Sequence, residues 1–241
     1  MSIFQISTLQ ALALGYSRAV VTVKELLTHG TIGLGTFENV NGEMIVVDGE
    51  CYRAEEDGTV RKADPDMGVP FAAVAAEEDA KEFRIENVRS IEKLKELLTV
   101  YIDDEFSLNS MHVARIDGKF SAVNARSEAP YRSHHVELKD ILAKTQRDFM
   151  FENITGTLVC VYYPDFMDGI NAAGWHIHFL SQDRTKGGHV FDLNLIKGTV
   201  QMLRITRLEI QLPSEPAFDT YALKEASGND IRKVEQGNGK G

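Results

Sequence analysis

Three of the seven histidines of this chain, His176, His178 and His189, fall within one short stretch. The first two form a His-x-His pair in Gly174-Trp-His-Ile-His-Phe179, and the third follows in Gly187-Gly-His-Val-Phe-Asp192. Side chains alternate between the faces of a β-strand, so a His-x-His pair aims both imidazoles the same way. The intervening Gln182-Asp-Arg-Thr-Lys-Gly-Gly188 reads as a turn that returns His189 to their side. Cross-strand and diagonal neighbours stand roughly 5–8 Å apart, close enough to share one ion through bonds of ~2.0–2.1 Å. Three neutral imidazoles with coordination positions left open make a catalytic site for zinc or a related divalent metal, not a closed structural one. Gly187 and Gly188 let the backbone approach closely just before the third ligand.

The remaining histidines carry no such pattern. His29 and His112 are read as core residues, and His134 and His135 are adjacent, point apart and lack companions. Trp175, the single tryptophan, alternates to the face opposite His176 and belongs to the core. The helical His-Glu-x-x-His motif of metalloproteases is absent, as are the glycine-rich phosphate cradles of nucleotide cofactors. Metal-binding jelly-roll cupins also place His-x-His on a strand, which makes a cupin-like oxygenase or isomerase the competing reading. Their pattern adds a nearby glutamate and a more distant final histidine. Here Asp183 stands at the corresponding distance and the third histidine returns at once.

The elements that must position this hairpin follow from periodicity and turn chemistry. The first thirty residues read as two helices, with a capping box in Thr22-Val-Lys-Glu25 and Gly30 as a C-cap. Asn41-Gly42, Asp48-Gly49 and Asp57-Gly58 place hairpin turns between short apolar runs such as Glu43 to Val47, and Phe71 to Ala75 is a further strand. Ser90 to Ile102 is an amphipathic helix. A hairpin turning at Asp117-Gly118 follows, then a helix over Val136 to Gln146. Gly156 to Tyr163, the histidine hairpin and a long run from Thr199 to Leu212 make the second half strongly β. The tail after Pro213 is polar, and its last residues are expected to be disordered.

The predicted fold is α+β, with mixed or antiparallel sheets in two β-rich subdomains, flanking helices, and the metal hairpin at the cleft between them. The expected division is 1–135 for an N-terminal α/β part and 136–241 for a β-rich C-terminal part, with the seam near residues 130–155 of one compact unit. A chain of 241 residues with 43% hydrophobic content suffices for such a core. The net charge of −10 argues against nucleic acid or an anionic membrane as partner. An anionic small molecule would then need local positive charge at its site. There is no apolar run long enough to span a membrane, the first residues lack the basic region expected of a secretory leader, so none is expected, and Cys51 and Cys160 read as buried free thiols. A cytoplasmic setting is the expectation.

The two histidine segments closely resemble the zinc-binding signature of the α-acetolactate decarboxylases. Other stretches resemble that family in order: residues 6–12 its early helix; Gly33-Leu-Gly-Thr-Phe37, Asn41-Gly-Glu-Met-Ile45 and Asp48-Gly-Glu-Cys-Tyr-Arg53 its first hairpins; Arg115-Ile-Asp-Gly118 and Gly156-Thr-Leu-Val159 later strands. The resemblance implies decarboxylation of (S)-2-acetolactate to (R)-acetoin and CO₂ by a zinc-dependent homodimer. It maps the zinc ligands onto His176, His178 and His189, and the catalytic residues onto Glu43, Arg126 and Glu235. Glu50 is a rival to Glu43, Arg132 to Arg126, and Glu225 to Glu235. Zinc would hold the enediolate left when CO₂ departs. Arg126 would bind carboxylate or chelating oxygens, and one glutamate would supply the proton if burial raised its pKa.

Overall fold

The computed structural model describes residues 1–132 and 135–223. The apolar run at the N-terminus is not helical: Ser2–Ile6 form strand β1, and the first helix, α1, is only Leu9–Ala13, capped by Thr8. Val21–Thr22 (β2) lead into a one-turn helix, α2 (Val23–Leu26), where Thr22 Oγ1 accepts from the Glu25 amide as the capping box predicts. Gly30 is not a helix C-cap, since α2 ends before it. A Cβ there would stand 2.7 Å from the Ala75 backbone, so glycine is required by close strand approach.

Short strands follow in hairpin succession: β3 (Ile32–Thr36), β4 (Glu43–Val47), β5 (Glu50–Ala54), β6 (Val60–Lys62), β7 (Gly68–Val69) and β8 (Phe71–Ala75). Asp48 and Gly49 both take positive φ between β4 and β5, as a tight hairpin turn demands. Beyond β9 (Lys81–Val88) comes α3 (Ile91–Glu105), whose Ile91, Leu94, Leu98 and Ile102 are buried at helical spacing behind the Ser90 cap. Then come β10 (Met111–Glu128), helix α4 (Leu138–Thr145), β11 (Gln146–Tyr163), β12 (Gly174–Ser181), β13 (Gly187–Ile205) and the short β14 (Arg207–Gln211), with β10, β11 and β13 the long strands.

Two larger sheets result, a β-rich α+β architecture. The first runs β14-β1-β8-β3-β4-β5-β6, with the β1–β14 pair parallel. In the second, β10 lies between β11 and β13, β12 pairs with β11 and again with β13, and β9 adds to β13, so four strands close a ring. Asp117-Gly118 is therefore not a turn. It lies in the middle of β10, paired with Thr157-Gly156 on one side and Thr199-Gly198 on the other. Two flanking ladders override the local turn preference. The run from Thr199 to Leu212 likewise breaks at Thr206, where the chain leaves the second sheet and becomes the edge of the first.

The sheets do not part near residue 135, because the β10–β11 hairpin spans that point. The first sheet takes its strands from residues 2–75 and 207–211, the second from 81–205. Their faces meet in a shared core in which Ile45, Tyr52 and Ala73 pack with Val113, Val159 and Leu180. A separate core on the far side of the second sheet holds Trp175, Ile177 and Phe179 beneath α3.

Candidate metal centre

Strand β12 presents His176 and His178 on one face, while Trp175 and Ile177 enter the α3 core and Trp175 Nε1 donates to Thr99 Oγ1 at 3.0 Å. The turn over 182–186 returns the chain so that His189 stands directly opposite His178. On its other side His189 is opposite Arg126 of β10. Residues directly opposed in a ladder share a face, so the third histidine is flanked by the second and by the guanidinium. Gly188 permits the return: a Cβ there would stand 2.7 Å from the Arg126 carbonyl oxygen.

The three imidazoles converge. His176 Nε2 is 3.1 Å from His178 Nε2 and 3.1 Å from His189 Nδ1, and all three ligand atoms lie within 4.8 Å of one another. Nitrogens bound to one tetrahedral ion through ~2.1 Å bonds would stand ~3.4 Å apart, so the spacing of 3.1 Å fits a divalent metal with little adjustment. The proton position at His178 follows from its partner. Its Nδ1 faces the Met44 carbonyl at 2.8 Å, which can only accept, so Nδ1 carries the hydrogen and Nε2 offers its lone pair. Burial pushes the His176 pKa down to about 3, with Arg126 and Lys95 adding to the effect. His178 is held well below the ordinary range, again by burial first and then by its neighbours His176 and Arg126. Neutral imidazoles are what a metal requires.

Strand β4 of the first sheet supplies the open side. Glu43 Oε2 lies 3.4 Å from His178 Nε2, and Oε1 lies 3.9 Å from His189 Nδ1. Ser127 steadies this end of β4, accepting from the Glu43 amide at 3.2 Å and donating to the Ala54 carbonyl at 2.8 Å. Arg126 is buried and its Nη1 donates to Gln146 Oε1 at 2.6 Å. Glu43, Arg126, His176 and His189 line one narrow cleft of about 30 Å³, whose other walls include Leu12 of α1 and Leu138 and Leu142 of α4. A larger groove of about 600 Å³ crosses the second sheet at Gly118, Gly156 and Gly198, but it contains none of these groups.

Glu50 is the hairpin carboxylate of the surface, bonded to Tyr52 Oη and Lys62 Nζ, and Arg132 is exposed outside the cleft. Glu225 and Glu235 lie outside the described residues, as does His134. Sequence reasoning missed Glu128, which is buried and lines the same cleft. Its position two residues beyond Arg126 on one strand was the available signal. His112 is a buried residue bonded to Ser107 and Ser110, whereas His29 is not a core residue: it is exposed and stacks on Phe4. Both cysteines are free and buried. Among the described residues no helix is long and apolar enough to cross a membrane.

Fold and site together define a class: a two-sheet α+β protein with a buried trihistidine cleft that could hold a metal ion and carries a carboxylate and a guanidinium beside it. Comparison with known proteins makes this specific. The family model for alpha-acetolactate decarboxylase matches residues 3–225, and the chain belongs to that family. The alpha-acetolactate decarboxylase of Methanosarcina mazei is 34% identical over 234 residues, covering 97% of this chain and 80% of that protein. That of Lactococcus lactis subsp. cremoris is 34% identical over 211 residues, covering 88% and 87%. The crystal structure of alpha-acetolactate decarboxylase from Bacillus subtilis strain 168 superposes with a TM-score of 0.91 at 30% identity, covering 98% of this chain and 99% of that one. With the family established, the cupin-like alternative falls away.

Proposed function

We propose that this protein decarboxylates (S)-2-acetolactate to (R)-acetoin and CO₂ at the cleft lined by Glu43, Arg126, His176 and His189, with His178 beside them. Family membership supports the reaction class. The observation that carries the site is the convergence of three buried histidine nitrogens beside a buried arginine and a glutamate. We infer that His176, His178 and His189 hold zinc. When bound, the ion supplies Lewis-acid stabilisation of the charge left behind as CO₂ departs.

The protein's own groups do the rest. Against a net charge of −10, the Arg126 guanidinium is the cleft's resident positive charge and binds the anionic substrate through its planar fork. Its bond to Gln146 limits its freedom to turn away. Glu43, within 3.9 Å of two histidine nitrogens, is placed to hold and move a proton at the reacting carbon. Glu235 is retained as the second carboxylate of this reading. The apolar walls exclude water while the carbanion equivalent awaits its proton.

The decisive measurement is acetoin release from racemic acetolactate by purified protein, with and without a chelator, alongside metal analysis. Release no faster than the spontaneous reaction sinks the reading, and iron in place of zinc overturns the choice of metal. We further take the active form to be a cytoplasmic homodimer, as the family resemblance implies. A monomer mass by sedimentation refutes that part alone.

A further inference from the structure

The cleft is built from two kinds of residue that come from different parts of the fold. Its polar groups stand on strands β3, β4, β10, β12 and β13, locked in hydrogen-bonded ladders. Much of its apolar lining stands on helices: Leu12 on α1, and Leu138 and Leu142 on α4. Leu138 and Leu142 are four apart, so they lie on one face of α4. That face packs with Leu9, Leu12, Val40 and Phe71 in a small cluster of its own, apart from the main cores.

Volume decides what this lining does. The space open to water in the cavity is about 30 Å³, room for no more than a few water molecules and less than a five-carbon acid occupies. Some wall must give way for such a substrate to enter. Strand residues are held on both sides by ladder bonds, whereas α4 has eight residues and no side-chain hydrogen bond at its Glu137 cap. The yielding wall is therefore α4. Each further methylene on the substrate displaces it further, and displacement of packed leucines is costly.

Resting on the decarboxylase reading above, we propose that Leu138 and Leu142, with Leu12, form the wall that receives the alkyl group of a 2-alkyl-2-hydroxy-3-oxo acid and sets the largest group turned over. The natural substrate class is then the short-chain members, with a methyl favoured over ethyl and ethyl over propyl. Rejection of roughly tenfold or more per methylene is the scale on which hydrophobic pockets discriminate.

The test uses the metal-loaded protein and three substrates: 2-acetolactate and its 2-ethyl and 2-propyl homologues. Wild-type protein, Leu142→Ala and Leu142→Phe are compared by the ratio of kcat/KM for each homologue to that for acetolactate. The ratio cancels the fraction of active or metal-loaded molecules, so partial loss of folding does not disturb it. Leu142→Ala is expected to raise the propyl-to-methyl ratio about tenfold or more, and Leu142→Phe to lower it. Leu12→Ala, on the other helix, should act like Leu142→Ala and serves if that variant does not fold. Ratios within twofold of wild type in all variants overturn the wall assignment while leaving the decarboxylase reading intact. Wild-type protein without activity on acetolactate overturns both.

Discussion

At the scale of single residues, burial does most of the work. It strips His176 and His178 of any tendency to protonate, and the Met44 carbonyl selects the His178 tautomer. His178→Ala should therefore lose both metal, by elemental analysis, and acetoin production. Glu43→Gln is nearly isosteric and should keep the metal while kcat falls by ~10²-fold or more, the usual weight of a positioned acid or base. If kcat is unchanged, Glu43 is no proton carrier. Arg126→Lys loses the planar fork and should raise KM for acetolactate more than it lowers kcat, because a point charge cannot replace two parallel donors. The same burial silences the thiols: the Cys51 pKa is pushed up to about 12, and that of Cys160 is also raised. Thiol reagents at pH 8 should label neither until denaturant is added. Fast labelling of native protein would contradict the packing of both strands.

At the scale of elements, the centre belongs to neither sheet alone. Strands β10, β12 and β13 bring Arg126 and the histidines, while β4 of the other sheet brings Glu43 and the Met44 carbonyl. Bulges in the β10–β13 ladder near Phe120 and Asn124 bend long strands so that Arg126 arrives beside His189. Ser127 is the fastening between the elements, bonded to Glu43 and Ala54. Ser127→Ala removes both bonds while the Glu43 amide and Ala54 carbonyl keep each other in the β4–β5 ladder, a loss of about 1 kcal/mol on general grounds. Denaturant unfolding should show that loss, and kcat should fall as Glu43 gains freedom. A variant with native stability and kcat would deny Ser127 this role.

At the scale of the whole molecule, the shared core between the sheets predicts one cooperative unfolding event. Trp175 reports on the second sheet, and far-ultraviolet dichroism reports on both, so their midpoints should coincide. Two separated midpoints would show that the sheets fold independently. A metal bound only by the folded state adds stability by mass action, ~2.7 kcal/mol at a hundredfold excess over Kd. Removing it with a chelator should lower Tm by several degrees. An unchanged Tm would mean that the histidines hold no ion.

The sequence by itself determined what local stereochemistry determines. Strand alternation set the His-x-His pair on one face, turn residues placed the hairpins around β4, β5 and β6, and 3.6-residue periodicity placed α3 behind its Ser90 cap. These features depend on residues a few positions apart. Tertiary structure decided the rest. Ser2–Ile6 became a strand, and Asp117-Gly118 ran straight through β10, because neighbouring ladders offered more hydrogen bonds than a local helix or turn. Glu43 meets His178 across 135 positions of chain, and Leu12 of α1 meets α4 on the far side of the cleft. Such encounters depend on how two sheets and two short helices pack, a long-range balance of burial and chain closure that no local pattern encodes.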